Sequence, residues 1–422
     1  MGATDSDSRP LLLLVSSGGR IYREYTLRSV STRYALWLLA PDLPTWQSKY
    51  LVGSTKVDTR DSNALIEAAR EVSSTYAPVR GVFCYDESRI LPAAVAAEAL
   101  GLPGHPAAAI EACRDKHAGR VLMAKAGVDQ PVSIAVASLE EARKAAAQVG
   151  YPLVIKPRAL SASIGVSLVR DPAELDAAYR KSRSAFVSEL PPCPQPNVLV
   201  EEFVTGTPIS VDAACHNGVV TPLVLAHNET GYPPYFEELA HIVRADDPLL
   251  TDPRVLETLQ DSHAALGLTE GITHTELRVS ERGALVIEVN ARIGGDLIPY
   301  GGLLARQVDV GLIAADLAVG VEPDLSAQGQ NTAAIRFLYP PYDMEVTSIK
   351  VDRSQVPDGV TMLETMVSPG QKLLLPPNDN VNCRTAVVVA VGEDEANALE
   401  RLCRASAAVV VEGVPLGSDR PE

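Results

Sequence analysis

The segment Thr273–Arg292, THTELRVSERGALVIEVNAR, carries the pattern that decides the fold. Two stretches of alternating apolar and polar residues flank Glu281-Arg282-Gly283. A three-residue hairpin loop with glycine in its last, left-handed position is a favoured link between antiparallel strands. Such a loop predicts that Glu276 faces Glu288, His274 faces Asn290 and Arg278 faces Val286. Side chains alternate along a strand, so His274, Glu276, Arg278, Glu288, Asn290 and Arg292 share one side. The other side is Thr275, Leu277, Val279, Leu285, Ile287, Val289 and Ala291, nearly all apolar.

Directly opposed residues have Cβ atoms ~4.5–5.5 Å apart, and like charges there are destabilising. Two facing glutamates therefore need a reason. One is a divalent cation between them. Mg²⁺ takes oxygen ligands and commonly uses one or two carboxylates plus substrate phosphates, and Asn290 can add an amide oxygen. The other is a solvated polar face on which Arg278 and Arg292 neutralise the acids. A one-residue slip of register would separate the glutamates.

Upstream, Leu153–Arg170 (LVIKPRALSASIGVSLVR) reads as a strand, a loop of small residues at Ala159–Gly165, and a second strand. Small residues let backbone N–H groups approach anionic oxygens. Lys156 follows three apolar residues, which points its ammonium from a sheet into a cleft. Lys116 stands near a helix start. For each lysine the plain alternative is a solvated surface charge. Val198–Gly206 (VLVEEFVTG) is an apolar strand whose end can offer backbone groups to an adenine edge, with Phe203 against the ring. The plain alternative is an ordinary strand end. Neither GxxxxGK[ST] nor GxGxxG occurs.

Farther out, Leu11–Val15, Tyr34–Leu39 and Gly81–Tyr85 read as strands, with helices at Ser62–Tyr76 and Leu91–Leu100. That alternation implies an open parallel sheet to about residue 110. A helix is expected around Cys113–Ala126, then strands at Ser133–Ala137, Leu153–Ile155, Val166–Val169 and Val198–Glu202. Helices are expected at Leu139–Val149, Pro172–Ser182, Pro253–Leu266, Gly302–Val319 and Asp394–Ala408. Four prolines make Leu190–Asn197 a rigid loop.

The 422 residues suggest about three domains. The net charge of −16 argues against a general nucleic-acid binder, because phosphate contacts need clustered cations. It leaves room for an anionic nucleotide held by a few local cations and a metal. No apolar run approaches the ~20 residues that span a membrane. Met1–Pro10 has neither a basic start nor an apolar core, so no signal peptide is expected and a cytoplasmic location is. The six cysteines are scattered with no CxxC, which speaks against a zinc site or a disulfide framework.

Taken in order, Lys116, the Lys156-Pro157 strand with its small loop, Glu201-Glu202-Phe203-Val204-x-Gly206, Glu276 and Glu288-Val289-Asn290-Ala291-Arg292 closely resemble the ATP-grasp superfamily over roughly residues 10–415. THTELR at Thr273–Arg278 and Ala291-Arg292-x-Gly294-Gly295-Asp296 look most like the L-amino-acid ligase, or dipeptide synthetase, branch. Tyr85-Asp86-Glu87 and Cys113-Arg114-Asp115-Lys116 fit it too.

The resemblance implies an α/β chain with a Rossmann-like pre-grasp domain (1–111) and two α+β subdomains that clamp ATP. These would be 112–205 with a lid, and 206–330 with the metal and substrate site. A C-terminal α+β region (331–422) would pack on them. It implies that Lys116 and Lys156 contact ATP phosphates and that Ser161–Gly165, with Ser163, closes over them. Glu201, Glu202, Phe203 and Val204 would bind adenine mainly through backbone. Glu276, Glu288 and Asn290 would hold Mg²⁺, usually two ions, with Mn²⁺ as a substitute. His274, Arg292, Gly294 and Gly295 would face the acyl substrate, with Arg292 and Lys156 as catalytic residues.

Many family members carry a glutamate two residues after the strand-end glycine, on the ribose. Pro208 stands there, which leaves Glu202 or Asp212 for that contact. The implied activity is phosphorylation of a small carboxylate by ATP, then attack by an amine to form an amide, ADP and phosphate. The substrates would be amino acids or similar acids. The general base is unassigned, and Tyr232, Tyr235 and Phe236 in His227–Arg244 are candidates for specificity. A carboxylase-type or ribonucleotide-biosynthesis acceptor, or a nucleotide-binding regulatory role, is the alternative. Homodimers are common in the family.

Overall fold

The computed structural model describes residues 8–188 and 190–417. Met1–Asp7, most of the stretch inspected for a leader, lie outside them. The apolar run Leu11–Val15 forms β1, buried throughout. It is followed by α1 (Arg20–Arg33), β2 (Ala35–Ala40), β3 (Leu51–Lys56), α2 (Ser62–Thr75), β4 (Val79–Phe83) and α3 (Ile90–Ala99). The strands form a parallel sheet ordered β3-β2-β1-β4. Leu12, Leu14, Leu36 and Leu38 pack with Leu27 and Val30 of α1, whereas Leu11, Leu13 and Val15 pack with Leu65, Val72 and Ala96 of α2 and α3. A strand covered on both faces shows no alternation, which is why β1 reads as a continuous apolar run.

Two elements here were not anticipated. α1 has no clean apolar stripe, because Arg23 occupies a buried position, its guanidinium 4.7 Å from the Tyr85 ring centroid. β3 is a half-buried edge strand whose Gly53 lies so close to Trp37 that a Cβ would sit 2.4 Å from the ring.

The single helix expected at Cys113–Ala126 is two, α4 (Ala107–Arg114) and α5 (Lys116–Lys125), split at Asp115. The Asp115 carboxylate accepts the His117 and Ala118 N–H groups at 3.1 Å each, which caps α5. It also receives two bonds from Arg158, 2.6 and 2.5 Å. The break puts Lys116 at the first position of α5, its N–H donating 3.0 Å to the Arg158 carbonyl. The expected boundary at 111/112 falls inside α4.

Next come β5 (Ser133–Val136), α6 (Leu139–Val149), β6 (Leu153–Pro157), β7 (Ser167–Val169), α7 (Pro172–Ser184) and β8 (Val198–Glu202), an antiparallel sheet ordered β5-β8-β6-β7 with two helices. Leu153, Ile155, Val198 and Val200 pack on Ala142, Ala146, Leu175 and Tyr179 of α6 and α7. Strand alternation turns Val154, Lys156 and Glu201 the other way, onto a cleft.

The rest is β9 (Thr207–His216), β10 (Val219–Gly231), β11 (Glu237–Arg244), α8 (Pro253–Leu266), β12 (Gly271–Ser280), β13 (Gly283–Asn290), α9 (Ile298–Arg306), α10 (Val310–Ala318), β14 (Thr332–Leu338), β15 (Met344–Val351), β16 (Val360–Thr365), β17 (Lys372–Leu373), β18 (Ala386–Gly392), α11 (Glu395–Ala407) and β19 (Val409–Pro415). The helix expected at Gly302–Val319 is α9 and α10, parted where Gln307 turns left-handed (φ 58°) and the Asp309 carboxylate caps α10. An eight-stranded sheet runs β13-β12-β9-β10-β11-β14-β18-β16, and β17-β15-β19 form a small one. The large sheet crosses the expected division at 330/331 without a break. Among the described residues no helix is long and apolar enough to cross a membrane. All six cysteines are free.

Candidate active site

The β12–β13 hairpin delivers the expected acidic pair, Glu276 opposite Glu288 and His274 opposite Asn290. Nearer the turn the expected register fails. Arg278 faces Leu285 rather than Val286, because a bulge between Glu276 and Leu277 shifts the ladder and shortens the loop to Glu281-Arg282. A bulge sets one extra residue against the partner strand and re-phases its side chains. Val286 and Ala284 therefore join Leu277 and Val289 in one core cluster, Leu285 is buried outside that cluster, and Ile287 lines the cleft. Arg120 of α5 receives the bulge, donating 2.7 Å to the Val286 carbonyl and 2.8 Å to the Ile287 carbonyl.

The cleft is a cavity of about 350 Å³ between the four-stranded β5–β8 sheet and the eight-stranded sheet. At one end stand Lys116, Lys156, Glu276, Glu288, Asn290 and Arg292. Lys116 Nζ lies 3.2 Å from Glu288 Oε1 and also donates to the Leu160 carbonyl. Burial raises Glu288, but Lys116 and Lys156 outweigh it and hold the carboxyl below the usual range. Glu276 is raised, by burial first and then by Glu288. No hydrogen bond or ion pair reaches its carboxylate among the described residues. The two arginines that could neutralise the acids pair elsewhere, Arg278 donating 3.1 Å to the Gly206 carbonyl and Arg292 Nε reaching Glu87 at 2.6 Å, and act on the glutamates only through space.

Two opposed carboxylates and an amide oxygen suit a hard cation such as Mg²⁺. Among the described residues no group of three or more His, Cys, Asp or Glu is placed to hold a metal. An ion here must complete its shell with oxygens from a ligand.

Lys156 is buried and salt-bridged to Glu201, Nζ to Oε2 at 2.6 Å, while Arg120 Nε takes Oε1 at 2.9 Å. Burial would raise the Glu201 carboxyl, but Arg120 and Lys156 hold it at about 2. Burial lowers Lys156 against the pull of Glu201, with Arg120 and Lys116 adding to the lowering. Glu201 thus positions Lys156 with its side chain. Arg120 was not anticipated. Its only sign was its place one turn after Lys116, on the face that also carries Gly119 and Met123.

Beyond β8, Glu202, Phe203 and Val204 line the other end of the cavity. Glu202 pairs with Arg282. The Phe203 and Phe236 ring centroids are 6.3 Å apart. No backbone hydrogen bond engages Phe203 or Val204 among the described residues. Leu160, Ser161, Ala162, Ser163 and Ile164 roof the cavity, with Ala162 and Ser163 left-handed at φ 54° and 53°. Gly165 was expected in that roof but does not line it. Its positive φ of 76° packs it on Pro157 and Ala185, where a Cβ would lie 2.7–2.8 Å from side-chain carbons.

His274 also lines the cavity, its Nδ1 2.7 Å from Asp212 Oδ1. Asp212 is fully buried in that pairing and faces no cavity, so it is not a ribose ligand. Gly295 lines the site. Gly294 was expected there but lies behind it, where a Cβ would be 2.7 Å from both Asp212 Oδ1 and His274 Nδ1. Of the three aromatics proposed for specificity only Phe236 reaches the cavity. Tyr232 packs on Tyr339 (5.2 Å) and Tyr235 under Lys181 (3.5 Å). Polar residues replace them, Asn228, Thr230, Glu237, Glu238 and His241.

Arg384, from the last third of the chain, binds Asp296 bidentately at 2.8 and 2.7 Å and lies 3.7 Å from the Phe337 ring centroid. It too was missed. A charge just before the apolar run Ala386–Val391 was its single sign.

An ATP-grasp domain family matches residues 149–300. An uncharacterized protein of Sinorhizobium fredii is 30% identical over 398 residues, covering 92% of this chain and 80% of that one. An alanine–anticapsin ligase of Bacillus subtilis is 29% identical over 335 residues, 70% of each chain. The crystal structure of an L-amino acid ligase from Bacillus licheniformis superposes with a TM-score of 0.81 at 20% identity, covering 97% of this chain and all of that one. Domain match, relatives and shared architecture agree with the two-sheet cleft, and the chain belongs to the ATP-grasp family.

Proposed function

We propose that this protein is an ATP-dependent carboxylate–amine ligase that activates a small carboxylate, an amino acid or a related acid, as its acyl phosphate and joins it to an amino-acid amine. The observation that carries this is the convergence of Lys116, Lys156, Arg292 and the Glu276–Glu288–Asn290 set in one cavity that also has a roof of small residues and an aromatic end. Similarity to ligases of amino acids supports the substrate class.

A carboxylate is a poor electrophile, because its leaving group would be oxide. Transfer of the γ-phosphoryl group of ATP converts that oxygen into phosphate, a good leaving group. Such transfers need positioning and charge stabilisation more than covalent help from the protein. Lys156, held by Glu201, and Lys116, at the head of α5, supply fixed positive charge at the phosphates. Phe203 and Val204, with free backbone groups, take the adenine, and Glu202 is left for the ribose. Glu276, Glu288 and Asn290 would hold Mg²⁺, which would supply neutralising charge at the phosphates.

Arg292, steadied by Glu87, faces the acyl group and stabilises the oxyanion that forms when the amine attacks. Ser161–Ile164 close over the phosphates and exclude water, which would otherwise hydrolyse the acyl phosphate. The β5–β8 sheet and the eight-stranded sheet act as the two jaws.

The test is ADP release with ATP, Mg²⁺ and a panel of amino acids, with mass spectrometry of products from a mixed pool. Amide product and ADP that depend on both substrates are expected. ATP binding without amine-dependent ADP for any pair would favour a nucleotide-binding regulator.

A further inference from the structure

We propose that Glu238, with Glu237 beside it, forms the subsite that receives the ammonium group of the amine substrate. This deepens the ligase reading and rests on it. Glu238 lines the cavity from β11. Its Oε2 is buried with no hydrogen-bond partner among the described residues, and so is Oε1 of Glu237. A buried polar oxygen left without a donor is costly.

The neighbouring acids already have partners. Glu201 has Arg120 and Lys156, Glu288 has Lys116 and Asp296 has Arg384. Arg278 and Lys181 act on Glu238 and Glu237 only through space, with no ion pair to either. Glu276, also without a partner, belongs to the acidic pair assigned to the metal, which leaves Glu237 and Glu238 as the further cavity carboxylates short of a cation.

The strand holds these acids in place. The Glu238 carbonyl accepts from Tyr339 Oη at 3.0 Å and from Arg384 Nη2 at 3.2 Å, and Tyr339 Oη also reaches Glu237 Oε2 at 3.3 Å. Burial, with Glu276 and Asp296 opposite, pushes the Glu238 carboxyl well above the usual carboxylate range. Burial brings Glu237 to about 7 against the pull of Arg384. A bound ammonium relieves both.

The experiment compares two nucleophiles on the full chain with ATP, Mg²⁺ and one carboxylate donor. The first is the amino-acid amine, which is an ammonium at assay pH. The second is hydroxylamine, which is neutral at slightly alkaline pH and traps the acyl phosphate as a hydroxamate. In Glu238→Gln the KM for the amine should rise about tenfold or more, the scale of a lost charge-assisted hydrogen bond. Hydroxamate formation and the KM values for ATP and donor should change far less. Glu238→Asp, which keeps the charge, should recover part of the amine KM. An unchanged amine KM, a parallel loss of hydroxamate, or a rise confined to the donor KM would overturn the assignment. If the unaltered chain forms no hydroxamate with any carboxylate, the ligase reading fails instead, and the outcomes are distinct.

Discussion

Replacing Glu201 with Gln keeps the shape of the side chain and removes the charge that Arg120 and Lys156 share. The Glu201 side chain is almost fully buried, and its partners hold the carboxyl at about 2, against an ordinary 4.5. At 1.36 kcal/mol per unit, that depression corresponds to ~3 kcal/mol of native-state stability at neutral pH. The sign follows from the direction. A carboxylate lowered on folding contributes above its ordinary range, and the contribution is lost as pH falls toward 2. Glu201→Gln should therefore destabilise the β5–β8 sheet near pH 7 by that amount and much less in strong acid. Removing one member of a buried ion-paired group typically costs a similar ~3–5 kcal/mol, because the partner charges are left buried.

Hydrogen–deuterium exchange reads the effect locally, which matters in a chain with several sheets. Amides of β6 and β8 should exchange about 100-fold faster in the variant, since ~1.4 kcal/mol is tenfold. Amides of the parallel β1–β4 sheet should be unaffected. A change below about tenfold in β6 and β8 would show that Glu201 is not the anchor of Lys156 described above.

Lys156→Met should weaken binding of a non-hydrolysable ATP analogue at least tenfold by calorimetry. Unchanged affinity would remove Lys156 from the phosphate site. Gly294→Ala introduces a Cβ about 2.7 Å from Asp212 Oδ1 and His274 Nδ1, and displacement of that pair by a fraction of an ångström should lower kcat by ~10–100-fold. Nucleotide affinity should be kept, and full activity would show that the pair has no part in the reaction.

The apolar face of the hairpin and the facing glutamates were readable because strand alternation is strict and the polar positions were too regular for a core. The bulge was not readable. It depends on Arg120 meeting two carbonyls from another element, a contact that leaves no mark in the hairpin's own residues. The same holds for Arg384 and Asp296, which lie 88 positions apart and meet only once β18 joins the large sheet. β1 and α8 were legible because one is wholly apolar and the other is bounded by an Asp-Pro start and a terminal Gly267. α1 was not, because its buried face includes an arginine. Nothing in His227–Arg244 singled out Glu237 and Glu238, and only the fold turns them into the cavity.

Manganese electron paramagnetic resonance tests the metal assignment most directly. With a non-hydrolysable ATP analogue the unaltered protein should bind Mn²⁺ tightly, and without the analogue only weakly, because Glu276, Glu288 and Asn290 supply too few ligands alone. Glu288→Gln should abolish the ternary signal while its circular dichroism stays native. Mn²⁺ bound as tightly without nucleotide, or equally well by Glu288→Gln, would contradict a metal shared between the two glutamates and the triphosphate.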